Sequence, residues 1–122
     1  MANVLFVDDA DMSHLLLEVM LRRLNHRAIS AFNGQEALEI LDCTKIDLII
    51  SDINMPYMDG LTLLDCIRAD QRYADTPVII ITASSLEANH ASALEKGATA
   101  FLNQPFSSQE LTDAVHTCLG EG

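Results

Sequence analysis

The sequence predicts an α/β domain: a doubly wound, five-stranded parallel sheet of strand order 2-1-3-4-5 with five helices. Three observations carry that prediction. Short β-branched or aliphatic runs alternate strictly with longer segments of helical spacing, no repeat or linker interrupts the alternation, and the runs differ in how purely apolar they are. Units in such alternation build a parallel sheet, because each crossover is right-handed and must cover a face of it.

The first run, Val4 to Val7, precedes a helical segment from about Met12 to Leu24 that carries Leu17, Leu21 and Leu24 on one face. The second, Ala28 to Phe32, is followed after Asn33-Gly34 by a helix grouping Ala37, Leu38 and Leu41. The third, Leu48 to Ile50, leads to a helix from about Leu61 to Ala69 with Leu61, Leu64 and Ile67 together. The fourth, Val78 to Ile81, and the fifth, Thr99 to Leu102, precede helices opening with Ser84-Ser85-Leu86-Glu87 and Ser107-Ser108-Gln109-Glu110. Both openings have the Ser-x-x-Glu spacing that satisfies free N–H groups at a helix start. Runs one, three and four are uninterrupted, as strands buried on both faces require, whereas AISAF and TAFL are weaker and belong at the edges. The order 2-1-3-4-5 meets that condition and puts the binding crevice at the carboxyl ends of the strands, between strands one and three.

At 122 residues and 49% hydrophobic content, the chain predicts one domain spanning 1–122, with no output domain after the last helix. It has no basic leader and no run approaching the roughly 20 apolar residues that a bilayer demands, so a cytoplasmic location is expected. Cys43, Cys66 and Cys118 lie far apart in helical patterns and read as buried thiols in a reducing compartment. A formal charge of −11 repels phosphate backbones and anionic lipid, which argues against nucleic-acid or membrane partners.

Strand one ends in Val7-Asp8-Asp9 and strand three in Ser51-Asp52, so adjacent strands deliver three carboxylates to one crevice. Like charges that close raise one another's pKa unless a cation sits among them, and hard oxygen donors suit Mg2+. Solvated strand-end aspartates are the bland alternative; convergence at the favoured ligand position outweighs it. Thr82 at the end of strand four competes with an ordinary turn role, and Asn103-Gln104-Pro105 reaches the same rim.

The set V-D-D at 7–9, D-I-N-M-P-x-M-D-G at 52–60, T-A at 82–83 and Q-P-F at 104–106 looks like the receiver (phosphoacceptor) domain of two-component response regulators, and is similar to the chemotaxis response regulator among them. The resemblance covers essentially the whole chain and implies a flavodoxin-like fold. It implies that Asp52 accepts a phosphoryl group from a phosphohistidine on a sensor histidine kinase or a histidine phosphotransfer protein. Asp8, Asp9, Asp52 and the backbone carbonyl of Asn54 would hold Mg2+. Thr82 would bond the phosphoryl oxygen, Phe101 would follow as the switch aromatic, and the altered face would dock an unknown downstream protein. Such a chain is a signalling module that assists its own phosphorylation and dephosphorylation rather than an enzyme.

One position departs from the family: Gln104 stands where a lysine is usual, before a Pro105 whose peptide bond the resemblance makes cis. An ion pair at about 4 Å is worth about 4 kcal/mol at an effective dielectric of about 20. A neutral hydrogen bond nets roughly 0.5–1.5 kcal/mol. The substitution is expected to weaken the coupling of phosphorylation to shape, unless the amide does a similar job. His14, His26, His90 and His116 read as surface or half-buried side chains without ligand spacing, and Met55, Met58, Pro56 and Gly60 read as shaping the loop after Asp52. Two other functions compete. A receiver-like scaffold insensitive to phosphate is permitted by Gln104 and disfavoured by the intact acidic set. A Mg2+-dependent aspartyl phosphatase generally needs an acid two residues beyond the nucleophile, where this chain has Asn54.

Overall fold

A computed structural model of the chain describes residues 1–55, 57–82 and 93–120. The strands are β1 (Asn3–Val7), β2 (Arg27–Ala31), β3 (Leu48–Asp52), β4 (Val78–Thr82) and β5 (Ala100–Asn103), and the helices α1 (Asp11–Arg23), α2 (Gly34–Cys43), α3 (Gly60–Ala69) and a C-terminal helix (Ser108–Leu119). The helix expected to open at Ser84, together with Pro56, Ala83 and His90, lies outside the described residues.

All five strands form one parallel sheet in the order β2-β1-β3-β4-β5, the predicted arrangement. β1, β3 and β4 are buried almost throughout, while β2 and β5 carry exposed positions, as their interrupted patterns require. Alternate strand residues feed two cores. Leu5, Val7, Ile49 and Ile80 pack with Ala37 and Leu41 of α2 and Leu63, Leu64 and Ile67 of α3. Val4, Phe6, Ile50 and Ile81 pack on the other face with Leu17 and Leu21 of α1 and Leu111 and Val115 of the C-terminal helix. Apart from Ala37, each of these side chains contributes roughly 1.5–3 kcal/mol by leaving water.

Local chemistry fixes where the helices begin, and therefore where each strand-end loop stops. Asn33 accepts from the Glu36 N–H at 2.8 Å, Asp59 from the Thr62 N–H at 2.8 Å, and Ser107 forms the expected reciprocal box with Glu110. Gly120 closes the C-terminal helix in the left-handed conformation, φ 73°.

Two expectations are corrected. Cys43 is exposed and Cys66 and Cys118 are only half-buried, for α2 turns Ala37 and Leu41 inward and leaves Cys43 on the far side. His14 and His26 are buried, not surface residues; His14 shares the inward face of α1 with Leu17 and Leu21, and Nδ1 of His26 accepts the Ala2 N–H at 3.0 Å. The expectation that strand three ends in Ser51-Asp52 is met: β3 runs through Asp52, which lies opposite Ile81 in the ladder.

Candidate functional site: an acidic pocket at the strand ends

The register that sets Val7 beside Ser51 brings the next residues, Asp8 and Asp52, side by side at the carboxyl edge of the sheet. Asp8, Asp9 and Asp52 each offer a carboxylate oxygen, and these atoms all lie within 4.8 Å of one another. Their surroundings differ: Asp8 is buried, Asp52 half-buried and Asp9 exposed. Asp8 is tied down from several sides. Its N–H donates to the Ala31 oxygen at 3.1 Å, its Oδ1 accepts the Ala10 N–H at 2.9 Å, and its main-chain oxygen lies 2.7 Å from Nε2 of His14.

Burial foremost, then the Asp8 charge and more weakly that of Asp9, pushes the Asp52 carboxyl up to about 6, against the pull of the Asn54 and Ile53 backbone N–H groups. The Asn54 N–H reaches Asp52 Oδ1 at 3.4 Å. Three oxygen donors under mutual repulsion fit a hard divalent cation, which relieves the repulsion and leaves room for water or a phosphoryl oxygen.

Of the other predicted residues, Thr82 and Gln104 lie at the same carboxyl edge of the sheet, and Phe101 lies further back along β5. Thr82 ends β4, is buried, and accepts the Gln104 N–H at its main-chain oxygen, 2.8 Å. Gln104 is exposed, and its bond to Pro105 is cis. A groove of about 770 Å3 opens beside the pocket between α1 and residues 104–108, with Asp8, Phe6, Ile81 and Gln104 on its wall. Phe101 pairs with Ile80 and packs half-buried against the α2/α3 core. Met55 and Met58 pack that core from the loop after Asp52. In the same loop the fully exposed Tyr57 takes a positive φ of 69°, which no bulky side chain announces in a sequence. His14 is the residue that the sequence reading missed at this site; its spacing from Leu17 and Leu21 was the available signal.

The sequence profile of the response regulator receiver domain matches residues 4–116. The chain belongs to that family. This receiver domain is 33% identical over 122 residues to a chemotaxis protein CheY homolog of Campylobacter jejuni, covering 98% of this chain and 94% of that one. It superposes on chemotaxis protein CheY4 of Vibrio cholerae with a TM-score of 0.93 at 30% identity, covering 98% and 99% of the two chains. The receiver domain of sensor histidine kinase PA1611 from Pseudomonas aeruginosa, solved with a magnesium ion coordinated in its active site cleft, aligns with a TM-score of 0.89 at 28% identity, covering 98% of each. Receiver domains are modules of two-component signal transduction that work with histidine kinases and downstream effectors. Among the described residues no helix is long and apolar enough to cross a membrane.

Proposed function

We propose that this receiver domain takes a phosphoryl group onto Asp52 from a phosphohistidine of a sensor histidine kinase or histidine phosphotransfer protein, and that the modified domain docks a downstream protein. The observation that carries the reading is the convergence of three carboxylate oxygens within 4.8 Å at the one half-buried strand-end aspartate whose pKa is strongly raised. In the transfer, the N–P bond of the donor imidazole breaks as an Oδ–P bond to Asp52 forms, and the electron pair leaves with the ring nitrogen. A rigid strand holds the nucleophile, and proximity and electrostatics supply most of the catalysis. Asp8, Asp9, Asp52 and the Asn54 carbonyl are the groups that would hold Mg2+, whose charge would offset that of the phosphoryl oxygens. Thr82, buried at the end of β4, supplies a hydroxyl to the phosphoryl group, and Phe101 follows its movement. The domain receives one phosphoryl group and releases it, rather than turning over a substrate.

Incubation with acetyl phosphate and Mg2+ tests this: a phosphate mass adduct is expected, and its absence would leave a receiver-like scaffold. Asp9→Ala should lose most of the Mg2+-induced rise in melting temperature, because a ligand stabilises only through its native site. An undiminished rise would move the metal elsewhere.

Gln104 favours a damped switch. The exposure of this position screens any ammonium placed there, so the difference from lysine comes down to about 1 kcal/mol, roughly a fivefold change in the active-to-inactive ratio. Gln104→Lys is expected to enlarge the beryllofluoride-induced amide shifts at Thr82 and Phe101. A parent that already switches fully, with no gain from lysine, would show that the amide suffices.

A further inference from the structure

We propose that His14 is a positioning residue for the acidic pocket: clamped between Phe6 and Phe32, it donates Nε2–H to the main-chain oxygen of Asp8 and so holds the Asp8–Asp9 turn in its cation-binding form. The inference rests on the Mg2+ reading of the pocket and adds a residue outside the carboxylate set.

The geometry leaves His14 little freedom. Its ring centroid lies 4.8 Å from that of Phe6, edge-on, and 4.1 Å from that of Phe32. Nε2 is 2.7 Å from the Asp8 oxygen, and a carbonyl only accepts, so Nε2 must carry the hydrogen. Nδ1 is buried and has no hydrogen-bond partner among the described residues. A side chain serving packing alone would fill the space between two phenylalanines better without that stranded nitrogen. The polar group the ring does satisfy is the carbonyl of the peptide linking Asp8 to Asp9. With the Asp8 N–H held by Ala31 and its Oδ1 by Ala10, the His14 bond completes the fixing of that peptide plane. The plane sets the direction in which exposed Asp9 leaves the strand end. Hydrogen-bond partners that orient ligands are worth about 10- to 100-fold in metal affinity.

Two substitutions separate positioning from packing. His14→Phe keeps an aromatic ring in the clamp and removes the donor. It is expected to unfold in urea close to the parent, the loss of the stranded nitrogen offsetting the donor that the buried Asp8 oxygen loses, yet to bind Mg2+ about tenfold more weakly in titrations followed by amide shifts. His14→Gln places an amide N–H near the position of Nε2 without the ring. It should be less stable than the parent while recovering most of the Mg2+ affinity. A merely structural role would move stability and affinity together. In the metal-free parent, ring 15N shifts should show hydrogen on Nε2, and the Asp9 and Ala10 amides should shift in His14→Phe but little in His14→Gln. A Phe variant with parental Mg2+ affinity, or a parent ring carrying its hydrogen on Nδ1 alone, overturns the proposal and leaves the acidic site standing. A parent that binds no Mg2+ overturns the metal reading instead, and the metal-free amide shifts then decide whether His14 orients the turn. If His14→Phe does not fold, the parent tautomer and the Gln variant's affinity still decide.

Discussion

Asp52→Asn is expected to abolish the phosphoryl adduct and, in metal-free buffer at pH 7, to make the fold more stable. The first effect follows from chemistry: the amide oxygen is a poor nucleophile, and among the described residues no other combines a rigid strand end with two carboxylate neighbours. The second follows from the raised pKa. A carboxyl that titrates near 6 when folded and near 3.8 when unfolded binds its proton more tightly in the folded state. Its contribution to stability is therefore complete below about pH 4 and is lost as pH rises through about 6. At about 1.36 kcal/mol per pH unit the undiscounted loss approaches about 3 kcal/mol; partial exposure of Asp52 brings it to roughly 1–2 kcal/mol. Asn has no such penalty, so melting curves of parent and variant should coincide near pH 4 and separate by several degrees at pH 7, with Mg2+ closing the gap from the parent's side. An adduct of undiminished yield on the variant would refute the nucleophile. Equal melting temperatures at pH 7 without metal would refute the electrostatic strain.

The strand order was legible because burial on both faces leaves a simple trace: β1, β3 and β4 each hold an unbroken apolar run, Val4 to Val7, Leu48 to Ile50 and Val78 to Ile81, whereas β2 and β5 expose positions. The acidic pocket was legible for the same reason, since an aspartate directly after such a run can only sit at the sheet's edge. His14 could have been assigned to the core, being three and seven residues before Leu17 and Leu21 on one helical face. Its lack of ligand spacing argued for a surface or half-buried place, whereas the structure buries it with Nε2 2.7 Å from the Asp8 oxygen. Cys43 failed in the opposite sense, as cysteine chemistry suggested burial while its place two residues after Leu41 turned it outward. The conformation of Tyr57 had no trace at all, for nothing in a tyrosine signals a positive φ; it follows from the path the loop must take between β3 and α3.

Gly60→Ala is expected to damage both stability and phosphorylation, although it changes no charged or catalytic group. Gly60 is the first residue of α3, and its N–H donates to the Ile53 oxygen at 2.9 Å, which presses the helix start against the end of β3. A Cβ there would fall well inside van der Waals contact of the Asp52 main-chain oxygen and 2.8 Å from Cα of Ile53. Both neighbours are backbone and belong to the strand end that carries the nucleophile, so relief requires moving Asp52 itself. Overpacking of this kind costs roughly 1–3 kcal/mol. Displacement of a reacting group by a fraction of an ångström to 1 Å lowers the rate roughly 10- to 100-fold. Gly34→Ala supplies the contrast. Its Cβ would meet Sδ of Met58 at 2.5 Å, Cγ at 2.9 Å and Cβ at 3.0 Å, but all three atoms belong to one flexible side chain, whose outer atoms can swing aside while its Cβ need give only a few tenths of an ångström. Urea denaturation and the rate of adduct formation from acetyl phosphate should therefore fall sharply for Gly60→Ala and change little for Gly34→Ala. Comparable behaviour of the two variants would mean that the β3 end yields as easily as a methionine, and that strand rigidity is not what holds Asp52 in place.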